Sequence, residues 1–273
     1  MYIISKRFSL ASLTSFALTF VTALLLSAAA QAQNKEYTPS VGQEGKDVIW
    51  VPTPNELIAK MLDMAKLTPN DVHFDLGSGD GRTVIAAAKR GTKAVGVEYN
   101  PDMVELSKRN AQKEGATIAA RTEFIRGDIF ETNFSHATVL TLYLLPSLNL
   151  KLRPTILNMK PGTRVVSHAF TMGDWEADQT ETVEGRTAYL WIVPAKVDGN
   201  WRIEGGGDIA LKQTFQKLEG TSGGKPITNA RMSGDTITFS VDGREYSGKV
   251  NGDRMEGAVK GSMAGKWSAA RAK

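Results

Sequence analysis

Asp75-Leu76-Gly77-Ser78-Gly79-Asp80-Gly81-Arg82 is the stretch whose reading decides the fold. A short apolar run, Val72-His73-Phe74, leads into it, and a helix-like stretch from Thr83 to Arg90 follows. Strand, tight turn and helix in that order are how an α/β sheet presents a nucleotide-like ligand at its carboxyl edge. Glycine serves there because the chain must bend sharply and approach a ligand with no Cβ in the way. The glycines fall as G-x-G-x-G behind an acid, not as the G-x-G-x-x-G that seats a dinucleotide pyrophosphate. Asp75, Gly77, Ser78, Gly79 and Gly81 are therefore the first candidate binding residues.

Working outward, runs rich in Val, Leu and Ile alternate with helical patterns from Val72 to about Pro194, as a mostly parallel α/β sheet requires. The pattern predicts strands at Val72–Asp75, Ala94–Glu98, Thr122–Arg126, Thr138–Leu142, Arg164–His168 and Thr187–Val193. Helices are predicted over Asn55–Ala65, Thr83–Lys89, Pro101–Glu114 and Leu148–Leu157. The fold class is α/β, a Rossmann-like doubly wound sheet. Past Ala195 the composition shifts. Turn pairs such as Asp242-Gly243 and Asn251-Gly252 separate short alternating segments, which predicts an antiparallel β-meander or open barrel of six to eight strands. The domain reading is an N-terminal signal over residues 1–32, a flexible segment over 33–47, the α/β domain over 48–195 and the β-rich domain over 196–273.

Three further pieces follow the glycine loop in order. Val95-Gly96-Val97-Glu98 reads as a buried strand ending in an acid 23 residues after Asp75. A carboxylate there can accept both hydroxyl hydrogens of a ribose; Asn100, two residues on, belongs to the same candidate set. Asp128, after the third strand, can accept from an adenine amino group, and Ile129 offers the ring an apolar face. The fourth strand runs through Tyr143 into Leu144-Leu145-Pro146 at the same sheet edge, where a substrate would meet the cofactor. Each piece alone has a plainer reading: Glu98 as a solvated strand end, Asp128 as a turn cap, Tyr143 as a packing aromatic. At the ends of successive strands they converge on one cleft. His73 reads as a core histidine, and His168, ending a strand near the cleft edge, as a candidate for a minor substrate role.

Lys6 and Arg7 precede an apolar stretch from Phe8 to Ala30, and Ala30-Gln31-Ala32 matches a secretory cleavage pattern. Cleavage after Ala32 and export to the periplasm or cell envelope are predicted; the alternative is an uncleaved membrane anchor with the body outside, which would then be the protein's membrane contact. There is no cysteine, which removes disulfides and thiol chemistry alike. Loss of Lys6 and Arg7 lowers the net charge from +4 to +2, and no basic stripe interleaves with aromatics, so nucleic acid is not the expected partner. The three histidines have no ligand spacing for a metal.

Together these pieces resemble the class I, seven-strand S-adenosylmethionine-dependent methyltransferases over residues 48–194. Within that class the chain is similar to the small lysine N-methyltransferases typified by the ATP-synthase c-subunit enzyme. Trp50-Val51-Pro52-Thr53-Pro54, the glycine loop, and Ala137–Pro146 followed by Leu152-Arg153-Pro154 carry the likeness. The resemblance implies S-adenosyl-L-methionine as cofactor and a protein lysine as acceptor. It also implies Asp75, Gly77 and Gly79 at the methionine end, Glu98 at the ribose, Asp128 at the adenine, and Thr53 on a segment that closes over the cofactor. Tyr143 is the candidate catalytic residue facing the acceptor. The fourth motif lacks the Asn/Asp-Pro-Pro-Tyr of enzymes acting on amides and adenines, and the resemblance does not extend to the β-rich half. The competing reading is an exported, non-catalytic binding protein that holds a nucleoside-like ligand and contacts an envelope partner through its β-domain. A nicotinamide-dependent oxidoreductase fits the glycine spacing less well.

Overall fold

Val72–Leu76 forms β1, with parallel neighbours on both sides: β2 (Lys93–Glu98) and β4 (Val139–Leu142). The computed structural model describes residues 37–261 and 264–272, so the predicted export segment lies outside the described residues. Adding β3 (Thr122–Arg126), β5 (Arg164–His168), β6 (Gln179–Val183) and β7 (Arg186–Ile192) gives a seven-stranded sheet in the order β3-β2-β1-β4-β5-β7-β6. β7 runs antiparallel to β5, and β6 antiparallel to β7. Strand order reverses between β1 and β4, and a crevice opens at the carboxyl ends of such strands.

β6 is the strand that the pattern missed. It lies at the sheet edge, and its Gln179, Thr180 and Glu181 carry no apolar alternation to mark it. The helices are α1 (Asn55–Met64), α2 (Arg82–Lys89), α3 (Pro101–Lys113), the four-residue α4 (Ala116–Ala119) and α5 (Pro146–Ile156). α5 starts two residues before its predicted start, with Pro146 in its first turn, where a missing N–H costs nothing.

Alternation along the strands divides the core between the two faces. Val139 and Val166 face Leu57 and Met61 of α1, while α2 packs Val84 and Ala88 against Ala94 beside it. Leu140, Leu142 and Val165 point the other way, toward Leu152 and Ile156 of α5 and toward Trp175 and Trp191.

The C-terminal strands are β8 (Gly199–Ile203), β9 (Asp208–Thr214), β10 (Lys217–Ser222), β11 (Lys225–Pro226), β12 (Thr228–Ser233), β13 (Thr236–Val241), β14 (Arg244–Asn251), β15 (Arg254–Lys260) and β16 (Gly265–Arg271). Apart from the two-residue β11, they run up and down as an eight-stranded barrel. It is closed, not open: β16 returns to β8 through Ala269–Ile203, Ala270–Arg202 and Arg271–Trp201. Asp242 and Gly243, both at positive φ, turn the β13–β14 hairpin. Trp201, Ile209, Met232, Ile237 and Met255 are fully buried inside the barrel.

The barrel is seated on the sheet through the β9–β10 turn. Phe215 stacks on Trp175 with ring centroids 5.9 Å apart, and Gln216 Nε2 donates to the Glu176 carbonyl at 2.8 Å. Arg231 pairs with the buried carboxylate of Asp178. Among the described residues no helix is long and apolar enough to cross a membrane.

Candidate active site

At the carboxyl ends of β1, β2 and β4 lies a cavity of about 500 Å³, within the ~300–1,000 Å³ range of small-molecule sites. Of the residues predicted from sequence, Thr53, Asp75, Gly77, Ser78, Gly79, Glu98, Asn100, Asp128, Ile129 and Tyr143 line it together. Gly81 does not line the cavity. It opens α2 at φ +80°, and a Cβ there would lie 2.8 Å from Phe124 Cε1 and from Ser107 Cβ. Its absence of a side chain lets α3 press against the loop.

The loop is held from behind by α3. Ser107 Oγ donates to the Gly79 carbonyl at 2.9 Å and Asn110 Nδ2 to the Asp80 carbonyl at 3.0 Å. It is held from the side by Glu98, whose Oε2 accepts from Gly79 N and whose Oε1 accepts from Asn100 N, both at 2.9 Å. Burial pushes the Glu98 carboxyl upward, against these backbone donors. Asn100 has a second task, since its Oδ1 caps α3 by accepting from Asp102 N at 2.9 Å. Asp80 pairs with Arg82, which also donates to the Thr53 carbonyl at 3.3 Å.

Asp75 sits deepest. Register pairs it with Thr141 across β1 and β4, so His73, Asp75 and Thr141 share one face of the sheet. Thr141 Oγ1 donates to Asp75 Oδ1 at 2.6 Å and lies 2.8 Å from His73 Nε2, which makes Nε2 the protonated nitrogen. His73 Nδ1 is buried without a hydrogen-bond partner. Burial raises the Asp75 carboxyl to about 7 and lowers His73 to about 3.

The covering segment that the resemblance implies at Thr53 extends back into a hairpin that the sequence did not mark. Gly42 N donates to the Trp50 carbonyl at 2.8 Å and Trp50 N to the Gln43 carbonyl at 2.9 Å, which builds a hairpin through an antiparallel Glu44–Ile49 bridge. Residues 43–53 all line the cavity, so a domain boundary after residue 47 passes through the hairpin. Trp50 lies on the glycine loop: a Cβ on Gly79, at φ +55°, would sit 2.6 Å from Trp50 Nε1. Lys46, near the hairpin tip, forms an ion pair with Asp128 and lies 4.8 Å above the Tyr99 ring. The hydrogen bond from Lys46 lowers the Asp128 carboxyl below its usual range. Asp128 Oδ1 also accepts from Phe130 N at 2.9 Å.

The opposite end of the cavity is aromatic. Tyr143, half-buried at the end of β4, stacks on His168 with centroids 3.8 Å apart and lies 6.1 Å from Phe170. His168 stands behind this wall and is not among the lining residues. Trp50, Lys46, Tyr99 and Phe170 were not singled out as site residues from sequence. Their signal is weak, because no strand or helix periodicity marks the hairpin and Phe170 follows its strand in a loop.

The ANTKMT methyltransferase domain model matches residues 75–179, ending before the barrel. A protein-lysine N-methyltransferase of Saccharolobus islandicus is 40% identical over 153 residues, covering 54% of this chain and 94% of that protein. The human lysine N-methyltransferase of the ATP-synthase c-subunit is 33% identical over 137 residues, covering 50% of this chain and 57% of that protein. A crystal structure titled RNA methyltransferase from Salinibacter ruber, in complex with S-adenosyl-L-homocysteine, superposes with a TM-score of 0.52 at 48% identity, covering 54% of this chain and 96% of that one. The residues fit the cofactor implied: a left-handed glycine turn at Gly77 and Gly79 lining the cavity, a carboxylate at Glu98 and a cavity of suitable size. The comparisons lend no support to a non-catalytic binding role. The chain belongs to the class I S-adenosylmethionine-dependent methyltransferases, in the family of small lysine N-methyltransferases typified by the ATP-synthase c-subunit enzymes.

Proposed function

We propose that this methyltransferase modifies lysine side chains of a protein by direct methyl transfer. The observation that carries the reading is the aromatic end of the cavity, where Tyr143 packs on His168 and lies 6.1 Å from Phe170 at the carboxyl edge of the sheet. The Saccharolobus relative supports it, being named for protein lysine and covered over 94% of its length. The Salinibacter structure is titled for RNA, but here β4 runs into Tyr143-Leu144-Leu145-Pro146, with no asparagine or aspartate to accept from a base amino group.

S-adenosylmethionine supplies a methyl group already activated on a sulfonium. The protein therefore has to align an acceptor lone pair and exclude water. Glu98 and Asn100 are proposed for the ribose, Asp128 and Ile129 for the adenine, and Asp75 with Gly77, Ser78 and Gly79 for the methionine end. Gly81 supports the loop from behind. Thr53 and the hairpin before it cover the site. At the acceptor end, Tyr143, Phe170 and Leu148 form an apolar wall, and an ammonium entering it loses solvation, which lowers its pKa and favours the neutral amine that attacks. The Tyr143 hydroxyl is proposed to accept a hydrogen bond from that amine.

For localisation, the Phe8–Ala30 apolar stretch and the Ala32 cleavage pattern support export; cell fractionation with N-terminal sequencing of the mature chain tests it. The acceptor is tested by incubating the protein with an alkyne-bearing cofactor analogue and a cell lysate, then locating the label by mass spectrometry. Label on lysine supports the reading; label confined to RNA overturns it.

A further inference from the structure

His168 ends β5 and is 4% exposed, yet its two contacts reach two different walls of the cavity. One face of the imidazole lies on Tyr143 at 3.8 Å and 31°. Its Nδ1 lies 3.1 Å from Thr53 Oγ1. Thr53 is where the covering segment hands over to α1, and its carbonyl is already held by Arg82 of the glycine loop. Tyr143 is where β4 leaves the sheet for the acceptor wall. These two positions are 90 residues apart in sequence, and the imidazole bridges them.

We propose that His168 is a positioning residue that ties the exit of the covering hairpin at Thr53 to the acceptor-facing ring of Tyr143, so that closing the site and aligning the acceptor are one event. The proposal rests on the methyltransferase reading, with Tyr143 at the acceptor end. Burial also lowers the His168 pKa to about 4, so at neutral pH the ring is uncharged and can stack face-on without the solvation that an imidazolium demands. A charged ring would also face Arg186, whose positive charge lowers the same pKa.

The two contacts can be cut separately. Thr53→Val and His168→Phe each remove the hydrogen bond, and phenylalanine keeps a ring on Tyr143. His168→Asn places an amide near the Nδ1 position and removes the ring. Amide hydrogen exchange over residues 43–53, measured without cofactor, reads the hairpin directly. Thr53→Val and His168→Phe should each speed exchange there by about 2–10-fold, the worth of one hydrogen bond. The double variant should be no faster than either single one, since both remove the same bond. His168→Asn should stay closer to wild type in exchange. In steady-state kinetics, His168→Phe should raise the cofactor KM more than His168→Asn does, and His168→Asn should lower kcat more than His168→Phe does. Additive effects in the double variant, unchanged exchange over residues 43–53, or the same kinetic profile for both His168 variants would overturn the coupling. If His168→Phe does not fold, His168→Leu, which also removes the hydrogen bond, takes its place in the cycle with Thr53→Val, with additivity the overturning result. Wild-type protein that fails to bind S-adenosylhomocysteine would overturn the functional reading instead, and the exchange pattern, read without ligand, separates the two failures.

Discussion

The Thr141 hydroxyl donates to Asp75 Oδ1 at 2.6 Å across the switch between β1 and β4, and Asp75 is 7% exposed. A carboxylate so placed is costly for the fold, and the proposed site uses it. Burial holds the Asp75 pKa at about 7 in the folded chain, against 3.8 in the open. The folded state therefore binds the proton more tightly than the unfolded state does. The resulting destabilisation is full above pH 7 and fades as pH falls toward 3.8. Asp75→Asn should stabilise the protein at pH 8 by ~1–3 kcal/mol, with a smaller gain at pH 5. The same variant should weaken S-adenosylmethionine, because the ionised form is the one proposed to pair with the cofactor's ammonium. Wild-type affinity by calorimetry should rise as pH is raised to 7 and level off above it. Thermal unfolding and calorimetry at three pH values check both halves.

His73 and His168 act in the opposite direction. Their folded pKa values are lowered to about 3 and about 4, against 6.5 when unfolded. Below pH 6.5 the unfolded chain takes up protons that the folded chain refuses, so this contribution to stability is lost as pH falls from 6.5 toward 4. Asp75 partly offsets the loss over the same range. In Asp75→Asn, melting temperature should therefore fall more steeply on acidification than in wild type, a comparison that differential scanning calorimetry makes directly.

The second and third glycines of the loop should fail in different ways. Gly79→Ala meets Trp50 of the cover at 2.6 Å and a positive φ, so its main effect should be a cofactor KM raised about 10-fold or more, with the melting temperature down only a few degrees. Gly81→Ala meets Phe124 and Ser107 in the packed contact with α3 and should cost ~2–4 kcal/mol of stability. Urea unfolding alongside cofactor titration separates the two.

Lys46 ties the hairpin to Asp128 and Tyr99. In Lys46→Ala the cover should open more often, so that cofactor enters and leaves about 3–10-fold faster while the equilibrium affinity changes less. Stopped-flow tryptophan fluorescence can follow this through Trp50, which sits against Gly79.

Much of the cleft was legible because it is local. Asp75 and Glu98 lie at the ends of buried strands, Asp128 follows the edge strand β3, and glycines mark the turn beside the first. Parallel strands then bring those ends to one edge without further information. Of the cover, only the segment at Thr53 was read, through the resemblance; the hairpin before it was not legible, because Gln43–Trp50 has neither helical nor strand periodicity, and its contacts to Gly79 and Asp128 are set by tertiary packing. Asn100 was read as a ligand contact, yet its side chain is also a helix cap, and the two roles share one local signature. The barrel's hairpins announced themselves through pairs such as Asp242-Gly243. Its closure depends on Trp201 and Arg271 meeting across the whole domain, which no local pattern encodes.

The most direct test of the account follows labelled methyl groups from S-adenosylmethionine into separated protein and RNA fractions, with wild-type enzyme and with Glu98→Ala. Label should enter protein, survive as methylated lysine after hydrolysis, and fall by more than about tenfold in the variant at subsaturating cofactor. Label found only in RNA, or equal labelling by wild type and variant, would contradict it.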